Sequence, residues 1–108
     1  MTVNDLCKLE GFTAVVLPDP DREVEGVYIG DLLSWVMGRA RSGDAWITIM
    51  SNVNTIAVAT LADTSCIVLA EGVTLDDDVR KTAEAKGINV VSTPYPAYGA
   101  SLKLSQTL

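Results

Sequence analysis

An uncharged apolar run, Ala45-Trp46-Ile47-Thr48-Ile49-Met50, stops abruptly at Ser51-Asn52-Val53-Asn54. Hydroxyls and amides clustered in this way can hold a polar ligand by hydrogen bonds, but they supply no acid, base or metal chemistry of their own. Two other loops offer comparable groups, Glu71-Gly72 and Thr93. Among these candidates Glu71 is the one carboxylate, so an enzyme working here would have a single acid or base without a partner. The chain has no His, which removes Ser-His-Asp and Cys-His catalysis and most transition-metal sites. Its two cysteines, Cys7 and Cys66, lie far apart in the sequence and cannot make an ordinary zinc site without further ligands; they read as reduced structural thiols. The expected site is therefore a ligand-binding one made of Ser51, Asn52, Asn54, Glu71, Gly72 and Thr93, with no catalytic residue, no metal and no cofactor. The plainer reading of the same residues is that Ser51 and Asn54 cap a helix and Gly72 permits a turn.

The elements that must position these residues follow from periodicity. Thr2 to Leu9 is a short helix candidate with Thr2 as N-cap, and Phe12 to Leu17 a first strand. Pro18-Asp19-Pro20-Asp21 is a turn that neither a helix nor a central strand could traverse; its acidity fits a solvated loop or a cation site. Glu23 to Ile29 alternates and then becomes apolar, as in a strand exposed at one end. Asp31 is placed to cap a helix over Leu32 to Ala40, in which Trp35 belongs either to the core or to a subunit interface.

Ala45 to Met50 reads as a strand covered on both faces. The following segment is rich in β-branched residues, yet Ile56, Ala57, Thr60 and Leu61 recur at helical spacing, with Asn54 as N-cap. Ser65 to Leu69 is another buried strand. Thr74 and Asp77 resemble a capping box for a helix that ends at Gly87, and Asp76, Asp77 and Asp78 load its positive end, although an acidic triplet can also be read as a metal site. Ile88 to Ser92 is a last strand, and Ala97 to Leu104 a closing helix. This alternation predicts a three-layer α/β/α sandwich with a mostly parallel central sheet. Loops after parallel strands share one edge of the sheet, where ligands of α/β domains sit.

The 108 residues suffice for one core, 1–108 forming one domain. With 48% hydrophobic residues the chain falls outside the disordered class. A formal net charge of -6 argues against nucleic acid or an anionic membrane as partner. No apolar run is long enough to cross a bilayer, and Met1 to Asp5 lacks a basic-then-apolar leader pattern, so a soluble, cytoplasmic protein is expected.

Four stretches together resemble a DRTGG domain: Val24 to Leu32, Gly43-Asp44 with Trp46-Ile47-Thr48, Ile67 to Gly72, and Gly87 to Thr93. The resemblance spans essentially the whole chain, as in a free-standing copy. The family is named for an Asp-Arg pair and a Thr-Gly-Gly run. In the corresponding places this chain has Ser51-Asn52 or, one residue on, Asn52-Val53, and Ala70-Glu71-Gly72. The resemblance implies a fold like that of the N-terminal domain of HPr kinase/phosphorylase and of the Mur ligases, a tendency to form homodimers, and a regulatory or ligand-sensing role without established catalysis. Such domains occur beside CBS domains in some inorganic pyrophosphatases and within some phosphotransacetylases. Two functions follow as expectations: a non-catalytic module that senses a nucleotide or small polar metabolite, or a protein-interaction or dimerisation subunit that regulates a partner enzyme through surfaces such as Trp35, Tyr28 or the Tyr98 to Leu104 helix.

Overall fold

The computed structural model describes residues 1–108. Ten elements follow one another: α1 (Val3–Leu6), β1 (Thr13–Val16), β2 (Gly26–Ile29), α2 (Leu33–Arg39), β3 (Asp44–Thr48), α3 (Val53–Ala62), β4 (Cys66–Leu69), α4 (Asp77–Lys86), β5 (Val90–Ser92) and α5 (Ala97–Ser105). The strands form one sheet in the order β1-β5-β4-β3-β2. The four strands β2 to β5 pair in parallel, each crossover carrying a helix, while β1 closes one side antiparallel to β5.

The uncharged run predicted as the central strand is β3, buried at every position from Asp44 to Thr48. Its side chains alternate between two cores. Ala45 and Ile47 face a cluster with Val3, Leu6, Ala100 and Leu104 of α1 and α5. Trp46 faces the other, with Val36, Ile56, Ala59 and Ala83 of α2, α3 and α4. Helices thus cover both faces, as the three-layer reading expects. At ~25 cal/mol per Å² of apolar surface, residues such as Trp46, Ile47 and Leu69 supply most of the driving force.

Several local expectations are corrected. Helix α1 is shorter than Thr2 to Leu9, although Thr2 does cap it: the Asp5 amide donates to the Thr2 hydroxyl and the Thr2 amide to the Asp5 carboxylate. Asp31 does not cap α2; Leu32 occupies that position without a side-chain bond. The cap of α3 is Asn52, two residues before Asn54. Thr74 makes no capping box, because α4 begins after Asp76, which has no side-chain cap bond. Strand β3 ends at Thr48, so Ile49 and Met50 belong to the following loop. Gly87 does end α4, in the left-handed conformation that favours glycine.

Trp35 is 55% exposed, with the Arg39 guanidinium 4.0 Å from its ring centre, and so is not part of the core. Only Val36 of α2 is fully buried. The acidic Pro18 to Asp21 turn is anchored rather than loose. The Asn89 side chain accepts from the Asp19 amide and donates to the Asp19 and Ser65 carbonyls. No helix is long and apolar enough to cross a membrane.

Candidate functional site

Because β2, β3, β4 and β5 are parallel and adjacent, the loops that leave their C-terminal ends share one edge of the sheet. These loops begin at Gly30, Ile49, Ala70 and Thr93. All six residues expected at a binding site lie in or directly after them, and the fold divides the six into two groups.

The first group is Ser51, Asn52 and Asn54. Asn52 has extended backbone angles and turns the chain into α3, its side-chain oxygen accepting from the Thr55 amide at 3.2 Å. Ser51 and Asn52 line a cleft of about 470 Å³ together with Ile49, Met50, Val53, Asp76, Asp78 and Val79. Asn54 sits exposed on the first turn of α3, beside this lining but outside it. One wall is thus the β3–α3 junction, and the other is the start of α4. Asp76 and Asp78 are carboxylates near a helix N-terminus, where the dipole favours them. They also give the cleft its negative charge.

The second group is Glu71, Gly72 and Thr93. Glu71 and Gly72 are both left-handed, at φ +58 and +73. Their amides donate to the Tyr95 and Thr93 carbonyls at 2.9 and 3.0 Å, lacing the β4–α4 loop to the β5–α5 loop. Thr93 is buried, and its hydroxyl accepts from the Tyr95 amide at 3.2 Å. The Glu71 side chain is exposed, and a Cβ added at Gly72 would meet nothing within 4 Å. Glu71 and Gly72 therefore present one carboxylate and open space, while Thr93 holds the turn from beneath.

A residue that sequence reasoning assigned elsewhere organises the first group. The Asp31 carboxylate accepts from the Thr48 hydroxyl at 2.8 Å and the Ile49 amide at 3.0 Å, and the Thr48 hydroxyl accepts from the Met50 amide at 3.1 Å. This relay sets the path by which the chain leaves β3 for Ser51. In the sequence Asp76 and Asp78 likewise read as helix-start charges or part of a metal site, with no link to Ser51. The adjacency of β3 and β4 could have placed them beside Ser51, since the helix after β4 must begin next to the loop after β3.

Groups with shifted proton affinity lie at the opposite end of the sheet. Burial pushes the Cys66 thiol, at the start of β4, up to about 12. Burial also raises the half-buried Cys7 thiol. Neither cysteine is in a disulfide. Hydrogen bonds from the Ser42 hydroxyl and then from Arg22 hold the Asp63 carboxyl below its ordinary value.

Residues 10–107 match the DRTGG domain. The chain belongs to the DRTGG family. No curated protein matches it. Among solved structures it is similar to the CBS and DRTGG domains of the regulatory region of Clostridium perfringens pyrophosphatase, crystallised with the activator diadenosine tetraphosphate. The two share 17% sequence identity at a TM-score of 0.77, over 99% of this chain and 47% of that one. This chain thus spans about half the length of its structural neighbour. At that identity the likeness shows the shared fold.

Proposed function

We propose that this protein is a cytoplasmic, non-catalytic regulatory module, one domain over residues 1–108, that senses a nucleotide or small polar metabolite and conveys the bound state to a partner enzyme. The observation that carries this reading is the cleft between the β3–α3 junction and the start of α4, lined by Ser51 and Asn52 on a DRTGG-family fold. The structural neighbour, a regulatory region crystallised with a nucleotide activator, supports it by analogy. In this reading the Ser51 hydroxyl and the Asn52 amide NH₂ donate to the ligand. Asn54 and the Glu71 carboxylate meet its outer polar groups, Gly72 leaves room for it, and Thr93 keeps the flanking turn in place. The carboxylates of Glu71, Asp76 and Asp78 favour hydroxyl-bearing or cationic portions of the ligand over a bare phosphate. Calorimetry and thermal shift with adenosine, AMP, ATP and diadenosine tetraphosphate test the reading. Binding that Ser51→Ala weakens is expected; no response to any of the four counts against it.

A homodimer is the second reading, favoured by the exposure of Leu32, Trp35 and Met37 along α2. Sedimentation equilibrium should then show a dimer that Trp35→Ser converts to monomer. A wild-type protein that sediments as monomer would dismiss this interface.

A further inference from the structure

Helices α2, α3 and α4 cover one face of the sheet, and α3 lies between the other two, packed against both. Helices α3 and α4 are each ten residues long and bury residues in the same core, but their outer sides differ. Asp77, Asp78, Arg80, Lys81, Glu84 and Lys86 stand exposed on α4, as on a solvated helix. Helix α3 has no charged residue at all. Its exposed residues are Val53, Asn54, Ala57, Thr60 and Leu61, with Val53 52% and Leu61 72% exposed.

A helix with apolar residues on both sides belongs inside a structure. Ile56, Val58 and Ala59 turn α3 into the core of this chain, yet Val53, Ala57 and Leu61 remain on its surface. At 3.6 residues per turn the five exposed residues form one stripe roughly 120° wide. The stripe has the composition of an interface core, apolar and uncharged, and the exposed charges of α4 on one side and Arg39 of α2 on the other supply a polar rim.

The order of residues along the stripe selects its occupant. Val53 and Asn54 lie four and three residues before Ala57, and Thr60 and Leu61 lie three and four residues after it. A two-fold axis through Ala57 therefore sets the smallest of the five against itself and lays the Val53-Asn54 end of one helix over the Thr60-Leu61 end of the other. Each end has one apolar and one uncharged polar residue, so no charge is buried at the contact. The Thr60 hydroxyl donates to the Ile56 carbonyl at 2.9 Å and keeps its lone pairs free to accept. Ala57 lets the two helix axes approach to about 8 Å, and antiparallel helices set opposite dipole ends side by side. With a net charge of -6 on each copy, an uncharged face is where two copies meet with least repulsion.

We propose that a second copy of this chain packs on the outer side of α3, the two α3 helices crossing antiparallel at Ala57 about a two-fold axis. The contact rests on the homodimer reading and centres it on α3 rather than on α2.

Sedimentation equilibrium of the full chain tests this contact, with circular dichroism to establish that each variant is folded. Wild type should form a dimer, and Ala57→Glu and Leu61→Lys, both at exposed helical positions, should each weaken it at least about tenfold. Ala57→Cys should give a disulfide-linked dimer under oxidised glutathione, and Ser105→Cys, exposed on α5 across the sheet, should not. A wild type that stays monomeric up to about 1 mM overturns both the α3 contact and the homodimer reading. A dimer that survives either Ala57→Glu or Leu61→Lys overturns the α3 contact alone, and Trp35→Ser then decides whether the α2 interface stands. Cross-linking of Ala57→Cys no faster than that of Ser105→Cys overturns the α3 contact as well.

Discussion

Asp31 and Thr48 join the end of the β2 strand to the end of its neighbour β3, the Asp31 carboxylate accepting the Thr48 hydroxyl at 2.8 Å. The same oxygen accepts the Ile49 amide, so a side chain between β2 and α2 sets where β3 ends and the cleft-lining loop begins. Asp31→Ala removes both bonds and leaves the Thr48 hydroxyl without its acceptor. A loss of about 1–2 kcal/mol is expected, a fall in Tm of several degrees for a domain of this size. Asp31→Asn keeps an acceptor and should lose less. Urea denaturation of the two variants checks the ranking.

Asn52 and Asn54 separate a cap from a surface residue. Asn52→Ala removes the acceptor for the Thr55 amide and should cost about 1 kcal/mol, while Asn52→Asp retains it. Asn54→Ala, at an exposed position past the cap, should stay within about 0.5 kcal/mol of wild type. Equal losses for the two alanine variants would contradict the assignment of the cap.

Glu71 adopts φ +58, in the left-handed region that favours glycine. A side chain in this region crowds the following carbonyl, and glycine does not. Glu71→Gly should therefore stabilise the protein by up to about 1 kcal/mol, less whatever the greater freedom of glycine in the unfolded chain takes back. If Glu71 contacts ligand, the same variant becomes more stable while its ligand response falls. A ligand response unchanged in Glu71→Gly would remove Glu71 from the site.

Asp63, at the end of α3, gives the acid response a defined sign. Its folded carboxyl is held low by the Ser42 hydroxyl and then by Arg22. A depressed carboxyl contributes stability above its unfolded value of ~3.9, and that contribution is lost as pH falls through the lower folded value. Asp63 is largely exposed, so solvent and salt weaken the effect. Urea midpoints measured from neutral pH down to about pH 3 should fall less steeply below pH 4 for Asp63→Asn than for wild type. Parallel curves for the two proteins would show that Asp63 does not contribute.

The architecture was legible because its cause is local. Ala45 to Met50 reads as buried on both faces since a strand between two helix layers has no polar side, and the structure covers β3 in that way. The segment after it reads as helix despite its β-branched residues, and α3 forms because Ile56 and Ala59 both reach the core. Trp35 and Trp46 show where such reading stops. Both are large and apolar, yet Trp46 is fully buried with its indole NH donating to the Gly30 carbonyl at 2.8 Å, while Trp35 faces outward under Arg39. Helical spacing placed Trp35 near an apolar stripe, but the width of stripe a helix buries depends on where it lies on the sheet.

Sequence alone determined the alternation of strands and helices, the crossovers that this alternation imposes, and the polar loops at one edge, because periodicity and turn chemistry act over a few residues. Tertiary structure decided what those loops do. Asp31 looks like a helix cap until β3 lies beside β2, and Asp76 and Asp78 look like helix-start charges until α4 begins beside Ser51. The Gly72 and Thr93 pair is a hydrogen-bonded turn only once β4 and β5 are neighbours. Hydrogen bonds and clefts between loops depend on which strands pair, and strand order is set by the packing of the whole sheet between its helices rather than by the residues of any one loop.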